Sequence, residues 1–319
     1  MRWDNANRLA RSEVKKMVST MRKSTLVLTV VAAAWLQSAN AVAALAVAED
    51  IRGVTYVASG DAYRLARCKL DVKVPNETTG FPTVVWFHGG GLTDGDKHFI
   101  RIDDSIGQVA VNYRLLNATN GVKGADCICD AAEAVAWTLK HISEYGGDPK
   151  KVYVSGMSAG GYLTMMVGMD PKYLAAHGFR PTDLAGLAPI SGQATKHFNV
   201  RKFSGDTDPQ FLPKIDDLAP LAHVSADLPP IISICGQPPY EWKCRAEENR
   251  LLIASCIALG HKQALYVEAP LCDHGRAFLA GIPYVEMFVR GGLPFSRPDE
   301  QRIRTRGIRV GDALRMEQR

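Results

Sequence analysis

The stretch Val152-Tyr153-Val154-Ser155-Gly156-Met157-Ser158-Ala159-Gly160-Gly161 sets a short β-branched run against a glycine-flanked serine and then a helical stretch. Read physically, a strand over Val152 to Ser155 turns sharply into a helix starting at Ser158. A turn that tight strains the backbone at its tip and admits only small residues on either side, and Gly156 and Gly160 meet that demand. Ser158 is then presented at a helix N-terminus, where the dipole favours negative charge. A glycine-rich turn with a capping serine is the simpler reading of the pentapeptide alone. Its position between a strand and a helix is what favours an exposed nucleophile.

Outward from this turn, short β-branched runs alternate with helical stretches, as expected for βα units on a mostly parallel sheet flanked by helices. Thr83 to Phe87 is a continuous apolar run of the kind buried on both faces, and Gln108 to Asn112 reads as another. Ala125 to Ser143 has helical spacing and stops before Gly146-Gly147-Asp148-Pro149. Later strands are expected at Ile231 to Cys235 and Ala264 to Glu268, separated by a helix over Arg245 to Leu259, with a last helix from about Arg276 to Val289. Residues 191–228, rich in Pro, Asp and Lys, read as loops or a small irregular lid over the carboxyl edge of the sheet.

His88-Gly89-Gly90-Gly91 follows the strand ending at Phe87. Bare glycine amides at a strand end can approach a substrate oxygen closely, so Gly90 and Gly91, with the amide of Ala159, are the candidate oxyanion hole. The same loop could cradle phosphate, but no Lys-Ser/Thr pair follows it.

With these motifs the chain resembles the HGGG-type carboxylesterases and lipases of the α/β-hydrolase superfamily, over about residues 52–290. Within them it looks most like exported bacterial esterase/lipase-like proteins near the feruloyl and acetyl-xylan esterases. The features that carry this are Trp86 to Gly91, Asn112-Tyr113-Arg114-Leu115, Gly146 to Pro149, Ser158 to Gly161, Pro189-Ile190-Ser191-Gly192-Gln193 and Glu247-Glu248-Asn249. The resemblance implies an α/β-hydrolase fold and the chain order nucleophile, acid, histidine. Of the later histidines, His274 lies in the loop Leu271 to Gly275 between the last strand and the last helix, the place of a general base. His261 precedes that strand and belongs at the wrong end of the sheet; His197 and His223 fall in the irregular segment, with a surface or substrate-contacting role. The acid should follow Ile231 to Cys235, where Glu241 is the carboxylate of the loop; Glu247 and Glu248, expected to face solvent, and a Ser–His dyad are the alternatives. Many relatives place the acid three residues after the loop glycine, where this chain has Pro239.

The 319 residues and 46% apolar composition suit one large α/β domain over residues 50–290. The formal charge of +5 is concentrated at the ends: residues 1–23 carry +5 and 291–319 carry +3, leaving −3 between. That middle has no basic stripe with interleaved aromatics, which speaks against nucleic acid. Residues 1–20 read as an extension or a mis-assigned start. In residues 21–48, Arg22-Lys23, an apolar run from Leu26 to Leu36 and Ala39-Asn40-Ala41 follow the order of a signal peptide, with a membrane anchor as the alternative if the segment is not cleaved. The expectation is a secreted or periplasmic protein with a basic tail over residues 291–319. Seven cysteines leave at least one unpaired after export, and a bond from Cys235 or Cys244 to Cys272 would brace the acid and base loops. No metal set at ligand spacing emerges, and no cofactor is needed. The expected partner is a small-molecule ester, with acylated carbohydrates as one class. An exopeptidase or amidase on the same residues, and a non-catalytic hydrolase-fold binding protein, are the competing functions.

Overall fold

Alternation along one strand decides how the molecule is layered. In Phe81–Phe87 (β3), Val85 and Phe87 point into one apolar cluster while Val84 and Trp86 point into another, and all four are buried. A strand buried on both faces requires cover on both faces. The first cluster is closed by Gly124–His141 (α2), Ala159–Met169 (α3) and Arg245–Ala258 (α6), through residues such as Ile128, Val135, Leu163, Met166 and Leu252. The second is closed by His274–Val289 (α7), through Ala277, Ile282, Val285 and Phe288.

The computed structural model describes residues 50–76 and 79–291. The extension and leader over residues 1–48 lie outside them, as does the basic tail beyond Gly291. The remaining strands are Ile51–Thr55 (β1), Lys69–Lys73 (β2), Gly107–Val111 (β4), Gly147–Met157 (β5), Gly186–Ile190 (β6), Ile231–Gly236 (β7) and Ala264–Ala269 (β8). They form one eight-stranded sheet in the order β1-β2-β4-β3-β5-β6-β7-β8. β2 pairs antiparallel with both β1 and β4, and every pair from β4 to β8 is parallel. Parallel neighbours bring their carboxyl ends, and the loops that follow, to one edge. Short helices at Ala62–Arg67 (α1), Pro171–Ala175 (α4) and Phe198–Phe203 (α5) complete the described α-helices.

The expected strands and long helices are all present, with boundaries shifted by a few residues. β5 is the largest shift, because it begins at Gly147, where a stop was expected; Gly147 faces Phe81 of β3, and the register is irregular from there to Val152. β6 was not foreseen. Gly186 and Pro189 make it look like a loop, since proline cannot donate to a ladder, yet Pro189 lies opposite Gly156 of β5. The segment 191–228 divides in two: Ser191 to Thr195 is buried against the sheet edge, whereas most of residues 202–217 is exposed.

The antiparallel end of the sheet is pinned by charge. Asp130 of α2, wholly buried, receives Arg64 of α1 at 3.1 Å and Arg114, just after β4, at 2.7 and 2.9 Å. Asp130→Ala removes the buried acceptor that both guanidinium groups share, leaving Arg64 with Glu133 and Arg114 with Asp126, and is expected to cost about 3 kcal/mol, read as a lowered urea midpoint at pH 7. An unchanged midpoint would show the network to be dispensable.

Candidate active site

The turn between β5 and α3 is held by backbone contact. A Cβ on Gly160 would sit 2.0 Å from the Phe87 carbonyl oxygen, and one on Gly156 would sit 2.6 Å from the carbonyl carbon of Gly160. No side chain fits at either place. Between them Ser158 takes φ 58° and ψ −111°, a conformation that costs a non-glycine residue of order 1–3 kcal/mol. Its backbone N–H donates to the Ile190 carbonyl at the end of β6, 2.8 Å away, which helps hold the strained turn.

The structure brings Ser158, His274 and Glu241 together. Ser158 Oγ lies 2.9 Å from His274 Nε2, and His274 Nδ1 lies 2.7 Å from Glu241 Oε1. His274 is the first residue of α7, two positions before the expected start, and Asp273 caps that helix by accepting from the Arg276 amide. A carboxylate can only accept, so Nδ1 carries the proton and Nε2 is left to accept from the serine hydroxyl.

Glu241 reaches the histidine because its loop doubles back. The backbone N–H groups of Tyr240 and Glu241 both donate to the Gln237 carbonyl, and this turn absorbs the two extra residues relative to the usual spacing. The carboxylate then accepts from Ser191 Oγ at 2.5 Å, the Gly236 amide at 2.7 Å and the Trp242 amide at 2.7 Å. Burial alone would raise its pKa; hydrogen bonds from His274, Ser191 and Gly236 outweigh this and hold it below the ordinary carboxylate range. Ser191, itself at φ 46°, is a positioning residue that sequence reasoning did not single out. Its one signal was the Pro189 to Gln193 resemblance.

Neither alternative acid touches His274. Glu247 is exposed. Glu248 does not face solvent as expected: it is buried and accepts from the Ala194 and Thr195 amides and the Thr195 hydroxyl, fixing the chain after β6. The cysteine brace is also corrected. All seven thiols are free. The acid and base loops are joined instead by the Gln237 amide donating to the Cys272 carbonyl at 3.0 Å and the Leu271 amide donating to Gln237 Oε1 at 2.9 Å. His261 sits at the opposite end of the sheet against the Pro229 carbonyl, and His197 is buried rather than at the surface.

The glycine loop lies against the serine turn, since a Cβ on Gly89 would fall 3.7 Å from that of Ser158. Gly90 and Gly91 have φ of 95° and 64°, and a Cβ on Gly90 would meet the Asp94 carbonyl oxygen at 2.1 Å. The carbonyls of the loop are engaged: Gly90 accepts from the Thr93 and Asp94 amides, and Gly91 accepts from Asn199 Nδ2 at 2.7 Å. Ala159, at the first position of α3, has an amide with no partner within the helix. His88 orders the loop from behind. Its ring stacks on Tyr113 at 4.4 Å, accepts from Arg67 at Nε2 and donates to the Gly89 carbonyl at Nδ1. Burial pushes its pKa down to about 4. Among the described residues no group of His, Cys, Asp and Glu is placed to hold a metal ion.

The BD-FAE family model matches residues 70–175, the span that contains the glycine loop and the serine turn. Thermogutta terrifontis esterase 2, in its apo form, superposes on 80% of this chain and 98% of its own with a TM-score of 0.59 at 22% identity. The chain has the α/β-hydrolase fold. Among curated proteins, the chain is similar to a probable carboxylic ester hydrolase, LipM, of Mycobacterium tuberculosis, 26% identical over 52% of this chain and 41% of LipM. It is also similar to the phenmedipham hydrolase of Pseudarthrobacter oxydans, 32% identical over 32% of this chain and 23% of that protein. The chain thus matches less than half the length of these relatives.

Two expectations follow from this geometry. Gly160→Ala forces a methyl onto backbone that cannot yield and should cost about 3 kcal/mol in urea unfolding; full stability would contradict the close contact. His88 has a folded pKa below its unfolded value of 6.5, so it favours folding above that pH and loses this contribution as pH falls toward 4. The loss amounts to about 1.4 kcal/mol per pH unit. Unfolding midpoints of the parent should therefore fall more steeply over this range than those of His88→Gln, and parallel slopes would refute the assignment.

Proposed function

We propose that the chain is a serine carboxylic-ester hydrolase working through an acyl-enzyme. The observation that carries this reading is the hydrogen-bonded line from Glu241 through His274 to Ser158, with steps of 2.7 and 2.9 Å. His274 Nε2 takes the Ser158 proton as Oγ attacks the ester carbonyl. Glu241 holds the tautomer and offsets the imidazolium charge. The developing oxyanion is met by the amides of Gly90, Gly91 and Ala159, which cost little reorganisation because glycine geometry and the helix start fix them. His274 returns the proton to the leaving alcohol, then activates water to release the acid. The similarity to a probable carboxylic ester hydrolase and to an esterase supports the ester reading. Small acyl esters, acylated carbohydrates among them, are the substrates to test first.

A fluorophosphonate probe is expected to label the parent at Ser158 and to leave Ser158→Ala unlabelled. Turnover of 4-nitrophenyl butyrate should fall by on the order of 10⁴-fold or more in Ser158→Ala and 10³- to 10⁴-fold in Glu241→Gln, the latter through kcat. Parent-like turnover by Ser158→Ala would end the proposal. Faster cleavage of 4-nitroanilides than of matched esters would favour the amidase reading.

A further inference from the structure

The proposed chemistry leaves two buried polar side chains beside the triad unused. Arg245, the first residue of α6, is 3% exposed. Its guanidinium donates no hydrogen bond among the described residues, and its Nε is sealed from solvent with no acceptor. The carboxylate of Glu248 lies 3.9 Å away, beyond hydrogen-bond reach, and is already occupied by two backbone amides and the Thr195 hydroxyl. His197 is wholly buried. Its Nδ1 accepts the Asn199 amide at 3.2 Å, so the ring proton is on Nε2, and Nε2 has no acceptor. Burial, reinforced by the Arg245 charge, keeps this imidazole neutral.

Both groups adjoin the reacting residues through shared aromatic rings. Trp242 meets His274 edge to face at 5.2 Å and covers the Arg245 guanidinium at 5.6 Å. Phe198 stacks on His197 at 4.5 Å and meets the same Trp242 at 5.4 Å. His197 also lies against Tyr162, one turn beyond Ser158, at 5.3 Å. The segment bearing His197 is tied at one end to Glu241 through Ser191 and at the other to Gly91 through Asn199. Two N–H donors withdrawn from water, one of them on a full positive charge, are matched by a planar anion with two acceptor oxygens. A neutral hydroxyl would bring a donor of its own and add no charge-assisted acceptor to a guanidinium whose nearest carboxylate, Glu248, is 3.9 Å away.

We propose that Arg245 and His197 form a carboxylate-recognising subsite next to the triad, so that, on the esterase reading above, favoured substrates are esters bearing a second, free carboxylate. Trp242, only partly buried, is the wall between that subsite and the catalytic histidine.

The test compares mono-(4-nitrophenyl) glutarate with 4-nitrophenyl valerate, its neutral counterpart, and glutarate alone as a ligand. In the parent the acid ester is expected to exceed the neutral one in kcat/KM by at least about tenfold. Glutarate should raise the unfolding temperature in a concentration-dependent manner. In Arg245→Met the kcat/KM ratio should fall at least about tenfold, and the glutarate shift should vanish. If that variant does not fold, His197→Phe, which keeps a ring against Phe198, should lower the ratio about threefold or more. A parent ratio of one or below, with no glutarate shift, overturns the proposal whether or not variants fold. The two readings fail separately: loss of all ester turnover and of fluorophosphonate labelling would count against the esterase, while the glutarate shift would still decide the subsite.

Discussion

The carbonyl oxygen of Phe87 lies where a methyl group on residue 160 would be. From that contact much of the site follows. It lets α3 start directly against the end of β3, which puts the Ser158 turn beside the glycine loop leaving the same strand. Ser158 is then strained, and the amide it gives to Ile190 draws in the end of β6, whose next residue, Ser191, grips Glu241. Three strand ends are thereby locked to one another within a few residues of chain. A looser turn would leave the serine and the glycine amides on separate, independently mobile loops.

The acid side of the site is built on a different principle. Glu241 sits on a loop whose path is set by hydrogen bonds rather than by regular structure, and its two carboxylate oxygens together receive His274, Ser191 and the amides of Gly236 and Trp242. A carboxylate with that many donors is stabilised in its charged form despite burial, and its ionised form in turn orients the imidazole. The backbone bonds between Gln237 and the Leu271-Cys272 turn do the joining that a disulfide was expected to do.

The central strands and the long helices were legible because burial on both faces writes itself as unbroken apolar runs and helical spacing, seen in Thr83 to Phe87 and Ala125 to Ser143. The serine turn was legible because its glycines answer to a steric demand. β6 was not, since its proline argues against a central strand and the price is hidden in its neighbours' pairing. The burial of Glu248 was not, because a charged residue in the first turn of a helix ordinarily faces water; only the fold brings two free amides of the chain after β6 to it. The role of Ser191 depends on a side chain 50 positions away, which no local pattern carries. Glu241 could be named from its loop, but the turn at Gln237 that lets it reach His274 is tertiary information.

The segment after β6 changes character within a dozen residues. From Ser191 to Asn199 it is a strap, anchored to the acid at one end and to the glycine loop at the other; beyond Arg201 it runs mostly through solvent. For anyone transplanting loops between chains of this architecture, that boundary is a natural splice point. Further on the chain is tied back to the strap, through the Lys196 amide on the Lys214 carbonyl and the Leu221 amide on the Ala194 carbonyl, so an exchange confined to residues 202–213 spares these fastenings, whereas a graft that begins upstream replaces them along with the loop.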